Sequence, residues 1–336
     1  MKDPVPRVVA VGDLTADLIF QVPELPIRAD DFQVGNAIHL EPGGSANLLI
    51  LLARLGAAAV AVGPLGTDHW GDQVLSVLES ERVEVSLIRR EGTTTVALVL
   101  VDGEGRHGFV GAYGKGLPLE FGNPERGIIA AADALFASGY SLAEERLRNL
   151  SLHALEFAGQ RKIPRFFDPG PAFLDLPPEV KRNILVSIDV LLLTEEELRD
   201  LSPEGAEGLL RRDAGGIANG AAAGGADDSP GIPGHSGPHT IVVKRGGAGC
   251  RAYGVDADTI DVPGLPVTVR DTTAAGDCFD AGYIWAYLRG RSPDECARLA
   301  NCAGAAAVGK LGGGRNIPSV EELRELILRS GGVIEI

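Results

Sequence analysis

The sequence is poor in positive charge. It has 31 lysine and arginine residues against 46 aspartate and glutamate residues, which gives a formal net charge of −15. Proteins that bind nucleic acid hold its phosphates with clustered lysine and arginine side chains. The composition therefore argues against a nucleic-acid partner. Any phosphate bound by this chain must be held by local backbone N–H groups, a helix N-terminus or metal ions.

Long apolar runs and paired cysteines are also missing. The longest apolar run, Ala46–Leu52, contains Asn47 and is too short to span a bilayer. Residues 1–4 carry no apolar signal core. The four cysteines lie between residues 250 and 302, form no CxxC pair and have no histidine at zinc-ligand spacing. These absences predict a cytoplasmic protein with reduced thiols and no membrane partner.

What is present is an alternation of strand-like and helix-like segments over 336 residues, of which 45% are hydrophobic. The predicted strands are Arg7–Gly12, Ala59–Gly63, Ala134–Ser138, Arg165–Asp168, Val190–Leu193 and Thr240–Lys244. The predicted helices are Ala46–Leu55, Cys278–Arg289, Pro293–Lys310 and Val320–Arg329. This rhythm predicts an α/β fold in which helices cover both faces of a mainly parallel sheet.

Two regions break the alternation. Asp31–Leu40 and Thr94–Tyr113 are typical of antiparallel ribbon, and they predict a small β-lid built from insertions at about residues 14–40 and 93–114. Residues 213–238 are rich in Gly, Ala, Pro and Asp, which predicts a flexible surface insertion. We expect the whole chain, 1–336, to form a single domain.

The segment Asp271–Asp277, with the sequence DTTAAGD, carries the strongest chemical signal. Small residues that lead into a helix place several N–H groups where they can hold phosphate oxygens, and Asp277 could accept a proton from an attacking hydroxyl. A carboxylate that only caps a helix after a glycine turn explains the same pattern. The residues alone give the two interpretations similar weight.

This segment resembles the DTxGAGD signature of the ribokinase-like (PfkB) carbohydrate kinases. The resemblance implies a three-layer α/β/α ribokinase-like fold with a small β-lid, ATP and Mg²⁺ as cofactors, and phosphorylation of a sugar hydroxyl. It makes Asp277 the catalytic base and assigns the anion hole to Ala274, Ala275 and Gly276. Ala274 stands where the family often has glycine.

The N-terminal half carries matching pieces. The segment after the first strand resembles the substrate-binding loop of the family, which implies that Asp17, with Asp13, binds sugar hydroxyls. The segment PGGSAN resembles the GGxxxN sugar site, which implies that Gly43, Gly44 and Asn47 contact the substrate. Its spacing differs from the family pattern by one residue.

The C-terminal half carries pieces of a nucleotide site. The segment TEEE resembles the family's NxxE motif, in which Glu197 would hold Mg²⁺ through water; threonine replaces the asparagine, and an acidic helix start is the alternative. A monovalent cation, K⁺, is implied near Asp271 and Thr273. The nucleotide-binding residues implied by the resemblance are Thr194, Lys244, Gly246, Gly249 and Asn301.

The acceptor and two other classes of protein stay open. The family phosphorylates ribose, fructose, 2-keto-3-deoxygluconate or nucleosides; an aromatic content of 5% favours a sugar, with Tyr113 and Tyr140 as the candidate platform for a nucleobase. Lids in this family pair across dimers, which makes Gln33–Leu40 a candidate homodimer contact. A non-catalytic sugar-binding or regulatory protein is one alternative.

A nicotinamide-dependent oxidoreductase is the other alternative, and glycine patterns argue against it. Only one glycine follows the first strand, where dinucleotide binding needs three. The GxGxxG spelling at Gly103–Gly108 is flanked by strands, which predicts a hairpin turn. Gly304–Lys310 has the spacing of a P-loop but lies in a helical, alanine-rich stretch and is followed by leucine.

Overall fold

A computed structural model describes residues 5–30, 32–36, 38–210, 237–255, 257–330 and 336, so the predicted insertion at 213–238 lies almost entirely outside the described residues. The strands are β1 (Arg7–Val11), β2 (Leu14–Gln21), β3 (Ile38–Gly44), β4 (Ala58–Leu65), β5 (Glu84–Arg90), β6 (Thr95–Val101), β7 (His107–Ala112), β8 (Ala134–Ser138), β9 (Arg165–Asp168), β10 (Val190–Thr194), β11 (Thr240–Lys244), β12 (Cys250–Gly254) and β13 (Ile260–Val262). The helices are α1 (Ser45–Arg54), α2 (His69–Ser80), α3 (Asn123–Ala130), α4 (Tyr140–Ala143), α5 (Glu145–Gln160), α6 (Gly170–Leu174), α7 (Pro178–Leu185), α8 (Glu195–Leu201), α9 (Ala275–Leu288), α10 (Pro293–Ala307) and α11 (Val320–Arg329).

The larger sheet has the strand order β13-β12-β11-β10-β9-β8-β1-β4-β5. Its strands from β11 to β5 pair in parallel, while β12 and β13 add an antiparallel edge. The central strands are short apolar runs such as Val-Val-Ala-Val in β1, as expected for strands with both faces covered. Parallel pairing brings the carboxyl ends of β1 and β8–β11 to one edge, where ligands bind in such sheets.

Helices cover both faces of this sheet. Successive side chains of a strand point to opposite faces, and Val8 packs in one apolar core with α1, α9 and α10, while Val9 packs in the other with α5. These are the three layers that the sequence predicts, and the α/β fold class is confirmed. No helix in the part of the chain that the structure describes is long and apolar enough to cross a bilayer.

A second sheet with the order β3-β2-β6-β7 lies at the carboxyl edge of the first. Strands β6 and β7 form the predicted hairpin, and β2 pairs in parallel with β6. The predicted ribbon at Asp31–Leu40 is wrong in its bounds, because the strand begins at Ile38 and runs on to Gly44. Pairing with β2 continues through Gly43 to Gly44, and helix α1 begins at Ser45.

Candidate active site

A cavity of about 570 Å³ lies between the carboxyl edge of the main sheet and the second sheet. Loops after β1 and β8, the second sheet and the start of α9 all contribute to its walls. The predicted site residues that line it are Asp13, Asp17, Gly44, Asn47, Thr273, Ala274 and Asp277. Residues separated by more than 200 positions in the sequence therefore meet around one space.

Two buried carboxylates, Asp13 and Asp17, lie on one wall of the cavity. The Ser141 hydroxyl donates to Asp13 Oδ1 at 3.0 Å, and the Thr15 hydroxyl donates to Asp17 Oδ1 at 2.8 Å. These bonds use one oxygen of each carboxylate and leave the other for a ligand. Burial raises the pKa of Asp17 to about 7, against the opposing bond from Thr15. Burial also raises the pKa of Asp13.

Gly43 and Gly44 let β3 approach these carboxylates closely. A Cβ on Gly43 would lie 2.0 Å from Asp17 Oδ2, so a larger residue cannot occupy this position without moving Asp17. Gly44 has a φ of 60°, and a Cβ there would lie 2.8 Å from the Asp13 carbonyl oxygen. The two glycines thus act through the backbone, by making room for both aspartates.

Asp277 lies in the first turn of α9 and faces the cavity. The Asn47 Nδ2 group donates to Asp277 Oδ2 at 2.9 Å, while Asn47 Oδ1 accepts from the Gly314 N–H at 2.9 Å. Burial raises the pKa of Asp277 to about 6; the Asn47 bond opposes this shift and the nearby Asp168 adds to it. The carboxylate is therefore held in place and is ionised at neutral pH.

The loop before α9 ends in a strained backbone conformation. Ala274, the N-cap residue, has a φ of 61°, in the left-handed region that favours glycine. This conformation explains why glycine is frequent at the equivalent position of the signature. The N–H groups of Gly276 and Asp277 belong to the first turn, where helix geometry offers them no carbonyl partner. They are suited to hold an anion.

Lys244, at the end of β11, is bound by carboxylates. Its ammonium group donates to Asp168 Oδ2 at 2.8 Å and to Asp280 Oδ1 at 2.9 Å. Burial disfavours the charged form of Lys244, but the two carboxylates outweigh burial and the net shift of its pKa is upward. A Cβ on Gly276 would lie 3.7 Å from this ammonium, so the ion cluster directly adjoins the start of α9.

Thr194 and Glu197 form a capping box at the start of α8. The Thr194 N–H donates to Glu197 Oε2 at 2.8 Å, and the Glu197 N–H donates to the Thr194 hydroxyl at 3.2 Å. Burial and the neighbouring Asp168 raise the pKa of Glu197. Both residues thus have a structural role, while Glu197 and Asp168 also place carboxylate oxygens beside the α9 start.

The predicted cation residues and nucleotide residues lie outside the cavity wall, except for Thr273. Asp271 is fully buried and accepts from the Thr273 N–H at 2.9 Å and from the Gly312 N–H at 2.6 Å. Asn301 donates to the Pro263 carbonyl at 2.8 Å. Gly246 and Gly249 flank a short 3₁₀ turn after β11, and both have positive φ values.

Sequence reasoning missed four side chains that shape the site. Asp168 and Asp280 hold Lys244, and their only sequence signals are an aspartate at the end of β9 and one placed a single turn after the start of α9. Phe109, on β7, lines the cavity with its ring 6.2 Å from that of Tyr140. The His107 Nδ1 atom lies 2.7 Å from the Thr272 hydroxyl, linking the second sheet to the loop before α9.

Comparison with known proteins places these features in a family. The model of the pfkB family carbohydrate kinases matches residues 5–320. A ribokinase of Bacillus subtilis is 24% identical over 325 residues, covering 96% of this chain and 99% of its own, and a nucleoside kinase of Methanothermobacter thermautotrophicus is 25% identical, covering 93% of each. Among solved structures, a putative ribokinase II from E. coli in complex with ATP and Mg²⁺ superposes with a TM-score of 0.78 at 21% identity, covering 97% of this chain and 100% of that one.

Proposed function

Because the chain belongs to the pfkB family of carbohydrate kinases, we propose that it transfers the γ-phosphate of ATP to a primary hydroxyl of a small sugar or sugar-like acceptor. The observation that carries this proposal is the position of Asp277. Its carboxylate faces the same cavity as Asp13 and Asp17, and it lies in the first turn of a helix that can hold phosphate. The acceptor site, the base and the anion site therefore adjoin one another.

The acceptor is held by the two carboxylates on the cavity wall. The free oxygen of Asp13 and that of Asp17 each accept a hydrogen bond from an acceptor hydroxyl. Neighbouring hydroxyls on one sugar ring fit a pair of acceptors of this kind. This binding directs the CH₂OH group towards Asp277, where proximity and orientation supply part of the rate enhancement.

Asp277 acts as the general base. It takes the proton of the attacking hydroxyl as the oxygen bonds to the γ-phosphorus and the bond to the β-phosphate oxygen breaks, giving the phosphorylated acceptor and ADP. The Asn47 amide holds the carboxylate in orientation. The anion hole comprises the backbone of Ala274, Ala275 and Gly276, where the Gly276 N–H has no helical carbonyl partner and the Ala275 N–H, which donates to the Thr272 carbonyl at 3.3 Å, would exchange that bond for one to the transferred phosphate.

Mg²⁺ fits the carboxylates beside the anion hole. Magnesium usually binds proteins through one or two carboxylates and fills its other positions with phosphate oxygens and waters. Glu197, through water, and Asp168 would hold it, and the ion would neutralise charge on the phosphates. Thr194, Lys244, Gly246, Gly249 and Asn301 line the path we assign to ATP.

Three further assignments complete the proposal. The loop at Asp271 and Thr273 would hold K⁺, whose charge would support the anion hole. The second sheet acts as a lid that excludes water, held down by the His107–Thr272 contact. The lid edge at Gln33–Leu40, with Ile38 exposed, is the contact of a homodimer. We place the enzyme in the cytoplasm, where ATP is available.

The direct test is ADP release from MgATP over a panel of sugars, keto-sugar acids and nucleosides. We expect one acceptor class to stimulate ADP release, and Asp277→Asn to lower kcat by about 10²- to 10⁴-fold, the usual share of a general base. Asp294→Asn, which removes a half-exposed carboxylate on α10, serves as the matched control. Turnover of Asp277→Asn at the parent rate would refute the catalytic assignment.

The alternative is a sugar-binding regulatory protein on the same fold, and the same assay distinguishes it. If no acceptor stimulates ADP release although one binds in calorimetry, the binding protein is the better account.

A further inference from the structure

The cavity has an aromatic end. Phe109, Tyr113 and Tyr140 all line it, and the Phe109 ring meets that of Tyr140 edge-on at an interplanar angle of 63°. The Tyr113 hydroxyl donates to the Tyr140 carbonyl at 2.8 Å, which fixes the ring of Tyr113 between the second sheet and α4. Phe109 nevertheless remains 52% exposed, so part of this large apolar ring is free to meet a ligand.

The register of the second sheet sets the distance from this end to the carboxylates. Asp17 on β2 pairs with Ala97 on β6, and Ala97 pairs with Gly111 on β7. Phe109 lies two residues from Gly111, and therefore on the same face as Asp17, at a separation of at least two strand spacings, about 10 Å. Ala97 and Gly111 lie between Asp17 and Phe109, and because they have little or no side chain they leave open space on this face of the sheet. This space extends well beyond a single sugar ring held by Asp17.

The charges around the cavity argue against acceptors that carry a negative charge. Its ionisable lining consists of Asp13, Asp17, Asp175 and Asp277 together with His107, and no lysine or arginine lines it in the part of the chain that the structure describes. A carboxylate or phosphate on the acceptor would meet only like charge there. Keto-sugar acids and sugar phosphates are therefore poor candidates, and an uncharged acceptor with a flat ring fits best.

We propose that the acceptor is a nucleoside, whose ribose hydroxyls bind Asp13 and Asp17 while its base lies over Ala97 and Gly111 against the ring of Phe109. The ribose CH₂OH group then faces Asp277. This proposal rests on the kinase function above and narrows its acceptor. It departs from the sugar favoured by the low aromatic content, because four aromatic side chains, Phe109, Tyr113, Phe136 and Tyr140, line this one cavity.

The first test compares kcat/KM for adenosine, inosine, cytidine and uridine with that for ribose, fructose and 2-keto-3-deoxygluconate. At least one nucleoside should exceed ribose by more than tenfold, and the keto-sugar acid should be the poorest acceptor. Phe109→Ala should lower the ratio of nucleoside to ribose kcat/KM by about 5- to 150-fold, the range for loss of one stacked base.

Val110→Ala is the matched control, since Val110 is the next residue of β7, is exposed and does not line the cavity. The control should keep the parent ratio. Calorimetric binding of nucleoside and ribose to the same variants gives a second readout that does not need turnover. A base-dependent affinity that Phe109→Ala removes would support the nucleoside even in the absence of turnover.

Two results would overturn the nucleoside assignment and leave the kinase in place. One is a kcat/KM for ribose or fructose that equals or exceeds that of every nucleoside. The other is a Phe109→Ala variant that affects ribose and nucleoside equally. Failure of every acceptor to stimulate ADP release would instead refute the kinase proposal itself, and binding data would then decide the ligand class.

Discussion

The two ends of the site both bury carboxylates, but they balance the charge in opposite ways. Beside the start of α9, where we propose the anion hole, Asp168 and Asp280 share the ammonium of Lys244. On the acceptor wall, Asp13 and Asp17 have only hydroxyl donors among the described side chains, Ser141 and Thr15. The first arrangement contains its own cation, whereas the second leaves two carboxylates with no cation bound to them among the described residues.

This difference separates residues that hold the site together from residues that await a substrate. A buried carboxylate without a counter-ion destabilises the folded state, and the raised pKa of Asp17 reflects that cost. A chain would keep such a pair only where a ligand supplies the missing hydrogen bonds. The Lys244 cluster, by contrast, joins β9, β11 and α9 and fixes the start of α9.

The comparison predicts its largest effect at Lys244. Lys244→Met leaves Asp168 and Asp280 buried without their cation, which should lower the free energy of unfolding by about 3–5 kcal/mol. Urea denaturation at pH 7.5 measures this change. Lys310→Met is the matched control, because Lys310 pairs with Glu322 at the surface and such pairs contribute only about 0–1 kcal/mol. Equal losses in both variants would contradict a structural role for the cluster.

At Asp17, on the cavity wall, we expect removal of the charged group to stabilise the folded state rather than destabilise it. The pKa of Asp17 in the folded state is about 7, raised from 3.8. The protonated carboxyl therefore contributes stability at low pH, and this stability is lost as the pH rises through about 7. At pH 8, Asp17→Asn should therefore be more stable than the parent by about 2 kcal/mol, a conservative figure at 1.36 kcal/mol per pKa unit. The gain should fade towards pH 4, and acceptor KM should rise.

Thermal unfolding from pH 4 to pH 8 measures the Asp17 effect. Asp72→Asn, a change at a mostly exposed carboxylate, should give no such gain. An Asp17→Asn variant less stable than the parent at pH 8 would mean that the carboxylate has a counter-charge and that the contrast between the two ends is false.

The sequence motifs pointed to Asp277 and Asp17 through their resemblance to those of the family, and both residues line the same cavity. Their meeting in one cavity follows from parallel pairing, which brings strand ends to one edge. The strand bounds near Gly43 were missed because glycine and proline weaken any strand pattern, and pairing with β2 overrides that local preference.

Partners distant in sequence could not be predicted. Lys244 meets Asp168 because β10 lies between β9 and β11 in the sheet, an order that no local pattern reveals. Phe109 appeared only as part of a ribbon, and its side of that ribbon depends on the register of β7 with β6. One residue of slip would have turned it away from the cavity.

The central claim is that Asp277 accepts the proton, and the pH dependence of acceptor kcat/KM tests it most directly. Asp277, with a pKa of about 6, and Asp17, with one of about 7, must both be ionised in the free enzyme, and their titrations overlap. We predict that kcat/KM rises steeply from pH 5 to about pH 7 and then levels, and that Asp17→Asn keeps the component near pH 6. A kcat/KM that stays constant from pH 5 to pH 8 in a folded enzyme would contradict the account.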